Sequence, residues 1–435
     1  MLKKLVGRVI ETRTDDELKG MLWATAYGFL VMLSYYILRA VRDEISSADR
    51  GNLQILWTAV FFVMLLAVPL YSWVVSRFSR GVFIPLANRF FAVNILAFFA
   101  VLQVSDSPEA RVWIDRVFYV WVSVYALFVV TVFWGFVADL FRNQQGRRVF
   151  GFIAMGSSLG GIVGSFLVSQ IGGSVPTFYL LLISIVPLEI AAWLAWALHR
   201  SSDREGTTLR REGPGRVPGG ALSGIGTVFR SPYLRGIALY LAIMTFASTV
   251  LYFQQAELVG AAFPDRGERT AFFAKIDLWT NLLTIFGQTF LAAHVIRKIG
   301  VGLSLAFLPA LSLVGFLFMG VYPLLAVLVA LQVLYRAGRY AIARPAREIL
   351  FTVVGREERY KSKAFIDAAV YRGGDLVSGW IYAGLGAVGL SVGAISLVTL
   401  PLLGVWAGVG IVLGRRQEGL AQAEASTVAP AGVGR

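Results

Sequence analysis

Seven cations interrupt otherwise apolar stretches of this 435-residue chain: Arg39, Arg42, Arg89, Lys275, Arg336, Arg339 and Arg372. Six acids share those stretches, Asp43, Asp139, Glu189, Asp277, Asp367 and Asp375. Two kinds of chemistry suit such a set. A guanidinium presents a fixed fork of donors to a phosphate or carboxylate, and a carboxyl group away from bulk water can carry a proton. Catalysis is a poor fit. The chain has no cysteine and two histidines, His199 and His294, and no Ser–His–Asp set, carboxylate pair or metal-ligand cluster emerges. Neither an enzyme nor a bound cofactor or metal is expected.

The elements that must position these charges are membrane helices. Hydrophobic residues make up 57% of the chain and charged residues 15%, far too little charge for a water-exposed surface of this size. Crossing about 30 Å of hydrocarbon takes about 20 mostly apolar residues. Twelve such runs fall near 22–43, 53–76, 82–103, 112–140, 149–170, 176–198, 233–255, 272–295, 300–321, 323–343, 362–386 and 391–413. They are continuously apolar rather than alternating, which excludes a β-barrel. The fold class is all-α and integral to the membrane.

The net charge of +14 suggests a nucleic-acid binder until its distribution is considered. Outer loops hold Arg50, Arg111, Arg116, Arg266 and Arg269. Apart from the seven cations at helix positions, the remaining Lys and Arg fall on the inner side. That is the positive-inside pattern of a multi-pass protein of a bacterial inner membrane with both termini cytoplasmic. No nucleic-acid partner is expected, and the chain is expected to be monomeric in its bilayer. Residues 1–20 space their apolar side chains on one helical face and suit an interfacial helix. The Arg-, Gly- and Pro-rich segment 199–232 is a linker between two six-helix halves, 21–198 and 233–414, and 415–435 is a tail. No phosphate-binding P-loop occurs. The halves echo each other in their basic loops and in closely spaced glycines (Gly156, Gly160 and Gly164; Gly373, Gly374 and Gly379), which let helices pack tightly. This is the major facilitator architecture, in which solutes bind at mid-membrane between the halves.

Each charge also has a structural explanation. Arg39 and Arg42 lie about 27–32 Å along the first span, where they either meet a solute or snorkel to the outer interface, with Arg39–Asp43 an i,i+4 pair. Arg89 suits interfacial anchoring. Arg336 and Arg339 lie about 20–24 Å into the tenth span, deep enough for a cavity. Lys275 and Asp277, near the outer mouth of the eighth span, can pair across helices. Arg372 and Asp375 form an internal pair or serve a gate. Asp139, with Arg142, Arg147 and Arg148, forms a charge cluster at the inner end of the fourth span. Tyr252, Phe253, Gln254 and Gln255 are expected to line a cavity from the seventh span. The excess of arginines points to an anionic solute.

Several stretches resemble the ATP/ADP translocases of plastids and intracellular bacteria, and their free-living bacterial relatives. The family's I-L-R-x-x-K-D is similar to Ile37-Leu38-Arg39-Ala40-Val41-Arg42-Asp43, with Arg42 in place of Lys. F-W-G-F-A-N resembles Phe133-Trp134-Gly135-Phe136-Val137-Ala138. S-K-x-x-K-Y-x-x-x-D-P-x-K-E resembles the run from Tyr335 to Glu348, and K-x-K-A-x-I-D resembles Lys361 to Asp367, with Arg372 matching a following Arg. Three charged positions depart from the pattern, falling near Val122, Tyr252 and Asp375. The resemblance implies a secondary transporter working by alternating access, with ATP or ADP as candidate solutes. Arg39, Arg42, Tyr252, Gln254, Gln255, Arg336, Arg339 and Arg372 would bind the solute. Asp43, Asp139, Lys275, Asp277, Asp367 and Asp375 would gate or couple. Proton-coupled transport of another metabolite on the same fold is the alternative, and a non-transporting sensor or scaffold is a third possibility.

The orientation is open to direct test, because the native chain has no cysteine to mask. A Ser202→Cys variant should label with an impermeant thiol reagent only after cells are broken. Labelling in intact cells would reverse the topology.

Overall fold

The computed structural model describes residues 15–77, 80–141, 143–204 and 223–428. Most of the expected interfacial segment and of the linker lies outside them. Twelve principal helices run through the described residues: α1 Asp15–Ala48, α2 Leu53–Arg77, α3 Arg80–Val104, α4 Pro108–Leu140, α5 Asn143–Ile171, α6 Tyr179–Arg204, α7 Pro232–Ala262, α8 Arg266–Phe286, α9 Ala292–Val321, α10 Leu325–Gly338, α11 Tyr371–Ala387 and α12 Val392–Val428. No strand occurs among the described residues.

Ten helices among the described residues are long and apolar enough to cross a membrane. The expected eighth and eleventh spans are the two that fall short, for reasons visible in their sequences. Helix α8 carries Arg266, Glu268, Arg269, Lys275 and Asp277, which dilute its hydropathy. It continues through a π-helical turn, Gly287–Leu291, into α9. The chain then turns at Gly300, whose φ of 78° is readily reached only without a Cβ. Helix α11 is likewise the second part of a longer rod, preceded by the polar helix Arg356–Phe365 and a second π turn, Ile366–Val370. A third π turn, Arg339–Ala343, interrupts the tenth span between α10 and the helix Arg344–Leu350.

The residues form two compact units, Met1–Arg211 with Gly260–Asn281, and Glu212–Val259 with Leu282–Arg435. In the first unit α1 lies against α5 and α6. Gly156, Gly160 and Gly164 of α5 recur every four residues, on the face that meets Thr25, Phe29 and Leu33 of α1. A Cβ at Gly160 would run into the Phe29 backbone. Polar pairs fix the neighbouring contacts: Ser34 and Tyr125 share a hydrogen bond of 3.1 Å, and Asn88 donates to the Tyr27 hydroxyl at 3.4 Å. In the second unit α9 and α12 cross closely where Gly302 meets Gly414. The Tyr240 hydroxyl donates to the Leu305 carbonyl at 2.8 Å, and its ring lies 5.6 Å from that of Trp406. The glycines of α11 behave differently from the expectation of tight packing. A Cβ at Gly374 would approach Thr245 at 3.2 Å, whereas one at Gly373 would meet nothing within 4 Å among the described residues.

Gly160→Val should therefore lower stability by about 1–3 kcal/mol or more through overpacking. Gly135→Ala, where a Cβ meets nothing within 4 Å, should leave it nearly unchanged. Thermal midpoints of the two variants in detergent decide this, and equal midpoints would contradict the packing described.

Candidate functional site

Helix α1 ends in the sequence that carries Arg39, Arg42, Asp43 and Glu44, and all four turn toward protein. Asp43 and Glu44 are 3% and 0% exposed. The Arg39 guanidinium is shared between Asp277 of α8 at 3.2 Å and Asp43 at 3.5 Å, and it lies 5.5 Å from the Tyr36 ring centre. Arg42 lies over the Tyr119 ring at 4.6 Å and donates to its hydroxyl at 3.2 Å. Trp57 donates to the same hydroxyl at 2.9 Å. Neither arginine snorkels freely, since each is enclosed by an aromatic ring and a carboxylate.

One turn further along α1 is a denser cluster. Glu44 accepts from Arg269 at 2.7 Å and pairs with Arg266 at 3.0 Å. Arg266 also reaches Asp115 at 2.8 Å, and Arg116 pairs with Asp49 at 2.7 Å. Arg269 further donates to the carbonyls of Phe263 and Pro264, at 3.1 and 2.7 Å. The backbone approaches closely here as well: a Cβ at Gly260 would crowd the Ser47 carbonyl, and one at Gly172 would crowd Ala271. The segment from Gly260 to Asn281 is thereby fastened to the C-terminal end of α1. A buried ionised carboxylate needs such partners, because an uncompensated charge in a low dielectric costs several kcal/mol.

The second unit holds a cationic cavity of about 290 Å³. Four arginines line it, Arg339, Arg344, Arg347 and Arg372, against one carboxylate, Asp367. Three tyrosines, Tyr240, Tyr340 and Tyr371, supply its apolar surface. Arg339 is held by Ser248 at 3.1 Å and by the rings of Tyr371 and Tyr340, 5.3 and 5.9 Å from its guanidinium. Arg347 pairs with Glu348 at 2.8 Å and with Asp367 at 3.5 Å, and Lys363 closes on Glu348. Arg344 and Arg372 make no ion pair with any described residue. Two of the π turns, Arg339–Ala343 and Ile366–Val370, border this cavity, a placement that π turns favour at functional sites. The Tyr340 carbonyl within the first turn accepts from Gln288 at 3.3 Å.

The sequence-predicted residues divide accordingly. Arg39, Arg42, Asp43 and Asp277 come together in the first unit. Arg339, Arg372 and Asp367 come together in the second, where Arg336, Asp375 and Tyr252 are partly buried. Lys275 is exposed and Asp277 takes Arg39 as its partner instead. Gln254 is fully buried, and its amide donates to Ser396 at 2.9 Å and to the Val392 carbonyl at 3.2 Å. It ties α7 to α12. Gln255 is buried beside it. Arg89 pairs with Glu189 at 3.8 Å, and the Asp139 side chain lies outside the described residues. Sequence reasoning missed Glu44, Arg266, Arg269 and Asp115 as one cluster, and Arg344 and Arg347 as cavity residues.

No family model matches the chain. Its sequence is similar to that of ADP,ATP carrier protein 1 of Chlamydia trachomatis, 22% identical over 68% of this chain and 64% of the carrier. The match thus spans less than two thirds of that relative's length. It is similar also to ADP,ATP carrier protein 2 of the same organism, 23% identical over 89% of this chain and 86% of the carrier. Among solved structures, a bacterial homologue of the iron transporter ferroportin in its inward-facing state aligns with a TM-score of 0.68 at 10% identity, over 91% of this chain and 99% of the other. The inward-open xylose transporter XylE from E. coli aligns with a TM-score of 0.61 at 13% identity, over 92% and 95%. The chain is a multi-pass membrane protein with the major facilitator fold.

Glu44→Ala should destabilise the protein by about 3–5 kcal/mol, as removal of one partner from a buried ion pair does. Pairing Glu44→Gln with Arg269→Gln should cost less than the sum of the single changes. Strict additivity of the thermal shifts would show that the two side chains are not coupled.

Proposed function

We propose that this protein is a secondary transporter of an organic anion, with nucleotides as the leading solutes, working by alternating access in a bacterial inner membrane. The observation that carries the reading is the cavity of about 290 Å³ with four guanidinium groups against one carboxylate. Ordinary structural arginines are neutralised by their neighbours, as Arg116 is by Asp49. Arg344 and Arg372 instead leave positive charge at a cavity wall, where a phosphate or carboxylate would complete it. Tyr340 and Tyr371, already stacked about Arg339, offer ring faces that a flat organic moiety can use.

In the first unit Arg39 carries out a different task. Its two carboxylates hold it in place, so an anion arriving there must compete with Asp277. That competition would link solute binding to the Gly260–Asn281 segment, because Asp277 lies in it. The similarity to carriers named for ADP and ATP supports nucleotides as the anion, while the departures near Val122, Tyr252 and Asp375 leave room for another phosphorylated solute. A second reading rests on Asp277 itself. A carboxyl group 1% exposed and paired with Arg39 is placed to carry a proton when that arginine leaves.

Proteoliposomes preloaded with ADP should take up labelled ATP much faster than empty ones. Equal uptake with and without preloading would sink obligatory exchange, and dependence on a pH gradient alone would favour the proton reading. Arg339→Ala should lower uptake about tenfold or more, the loss expected when a hydrogen bond to a charged group is removed. Arg339→Lys should retain part of it, since it keeps the charge but loses the fork. Arg89→Ala, at a guanidinium 62% exposed, is the control expected to transport normally. Normal uptake by Arg339→Ala at normal expression would remove the cavity from the pathway.

A further inference from the structure

The first unit contains a second, larger cavity that the anion reading does not use. Its volume is about 1090 Å³, above the roughly 300–1,000 Å³ of small-molecule pockets. Helices α2, α3 and α4 form its walls, each presenting one stripe at helical spacing. Leu56, Val63, Leu70 and Val74 mark the stripe on α2, and Ala59, Ala67 and Ala87 leave its floor low. From Ile55 to Val74 the groove runs about 28 Å at 1.5 Å per residue, close to the roughly 30 Å of a bilayer's hydrocarbon. Its lining is almost wholly apolar, so water is a poor occupant.

The two ends differ in charge. At one, Arg116 is bound by both oxygens of Asp49, at 2.7 and 3.3 Å, and Asn52 donates to the same carboxylate at 2.8 Å. That end is already neutralised. At the other, one turn beyond Val74, the exposed Arg77 lies over the Trp73 ring at 5.3 Å and makes no ion pair with any described residue. Trp beside a cation is the arrangement of a membrane–water interface. Tyr71 packs nearby against Phe83 and Phe128, at 5.9 and 4.8 Å between ring centres, and joins all three helices.

We infer that this groove holds one phospholipid, with its acyl chains along α2, α3 and α4 and an anionic headgroup at Arg77. The charge asymmetry selects the headgroup: a zwitterionic lipid gains little at Arg77, whereas a phosphate with net negative charge completes it. The apolar length selects chains over a water-soluble ligand. On the topology proposed above, Arg77 lies on the cytoplasmic side, so the lipid belongs to the inner leaflet.

Native mass spectrometry of the purified protein, titrated with phosphatidylglycerol and with phosphatidylcholine, tests this. The first lipid bound should favour phosphatidylglycerol several-fold. Ala67→Trp and Ala87→Trp, which fill the floor, should abolish that binding event. Arg77→Gln, at an exposed side chain that does not threaten folding, should keep lipid binding and lose the headgroup preference. Equal binding of the two lipids by the unaltered protein would overturn the proposal. So would undiminished binding by both tryptophan variants at unchanged thermal midpoint. Loss of ATP uptake in those variants with lipid binding intact would assign the groove to an amphipathic solute instead, also against the proposal.

Discussion

Glu44 is fully enclosed near the end of a helix made mostly of apolar residues, and a carboxylate there stays ionised only if opposite charge reaches it. Arg266 and Arg269 do so from more than 200 positions along the chain. Much of the first unit follows from that requirement. To bring both guanidinium groups to Glu44, the end of α7 and the start of α8 must lie on the end of α1. Small residues make the approach possible at Gly260, against Ser47, and at Gly172, against Ala271. The same approach places Asp277 two to three turns further along α8, level with Arg39. The Arg39–Asp277 pair is thus positioned by the Glu44 cluster beyond it.

The cationic groups of the two units are in different electrostatic conditions. In the first, near the end of α1, Arg39 has Asp277 and Asp43, and Arg42 has Asp43 and a tyrosine ring. In the second, the arginines outnumber the acids that line the cavity. Charge repulsion among four guanidinium groups is tolerated because Tyr371 and Tyr340 flank Arg339 and because Glu348 and Asp367 fix Arg347. What remains is directed at Arg344 and Arg372. A self-neutralised cluster suits holding, and an under-neutralised one suits receiving.

Hydropathy made twelve spans legible in the sequence, and helix spacing made a close-packing face on α5 legible through Gly156, Gly160 and Gly164, though not its partner α1. The tenth and eleventh spans were harder because charges interrupt them, and the structure adds the eighth, where a π turn and several charges fall inside the rod. Among site residues, Arg39 and Arg339 stood out as cations in hydrophobic surroundings. Arg266 and Arg269 did not, since in sequence they look like ordinary loop charges and their partner is remote. Gln254 looked free to line a cavity, but its amide is consumed by Ser396 and Val392. Arg344 and Arg347 lay within a run that resembles a family motif. Which of its arginines share a cavity depends on helix phase, and the π turn at Arg339–Ala343 alters that phase.

That turn has a consequence for how the chain can change over generations. A π turn is an α-helix carrying one extra residue, and each residue of an α-helix advances the azimuth by about 100°. Loss of a single codon between Arg339 and Ala343 would restore a regular helix and leave Arg344 and Arg347 on the same face, whereas the same loss in the regular helix before the turn would swing them by about that angle. The apolar content of the span would hardly change, so membrane insertion would be indifferent to the loss. The cavity's charge therefore rests on a length of chain as well as on residue identity: the π turn is where the span can lose a residue without moving its arginines, and the regular helix before it is where it cannot.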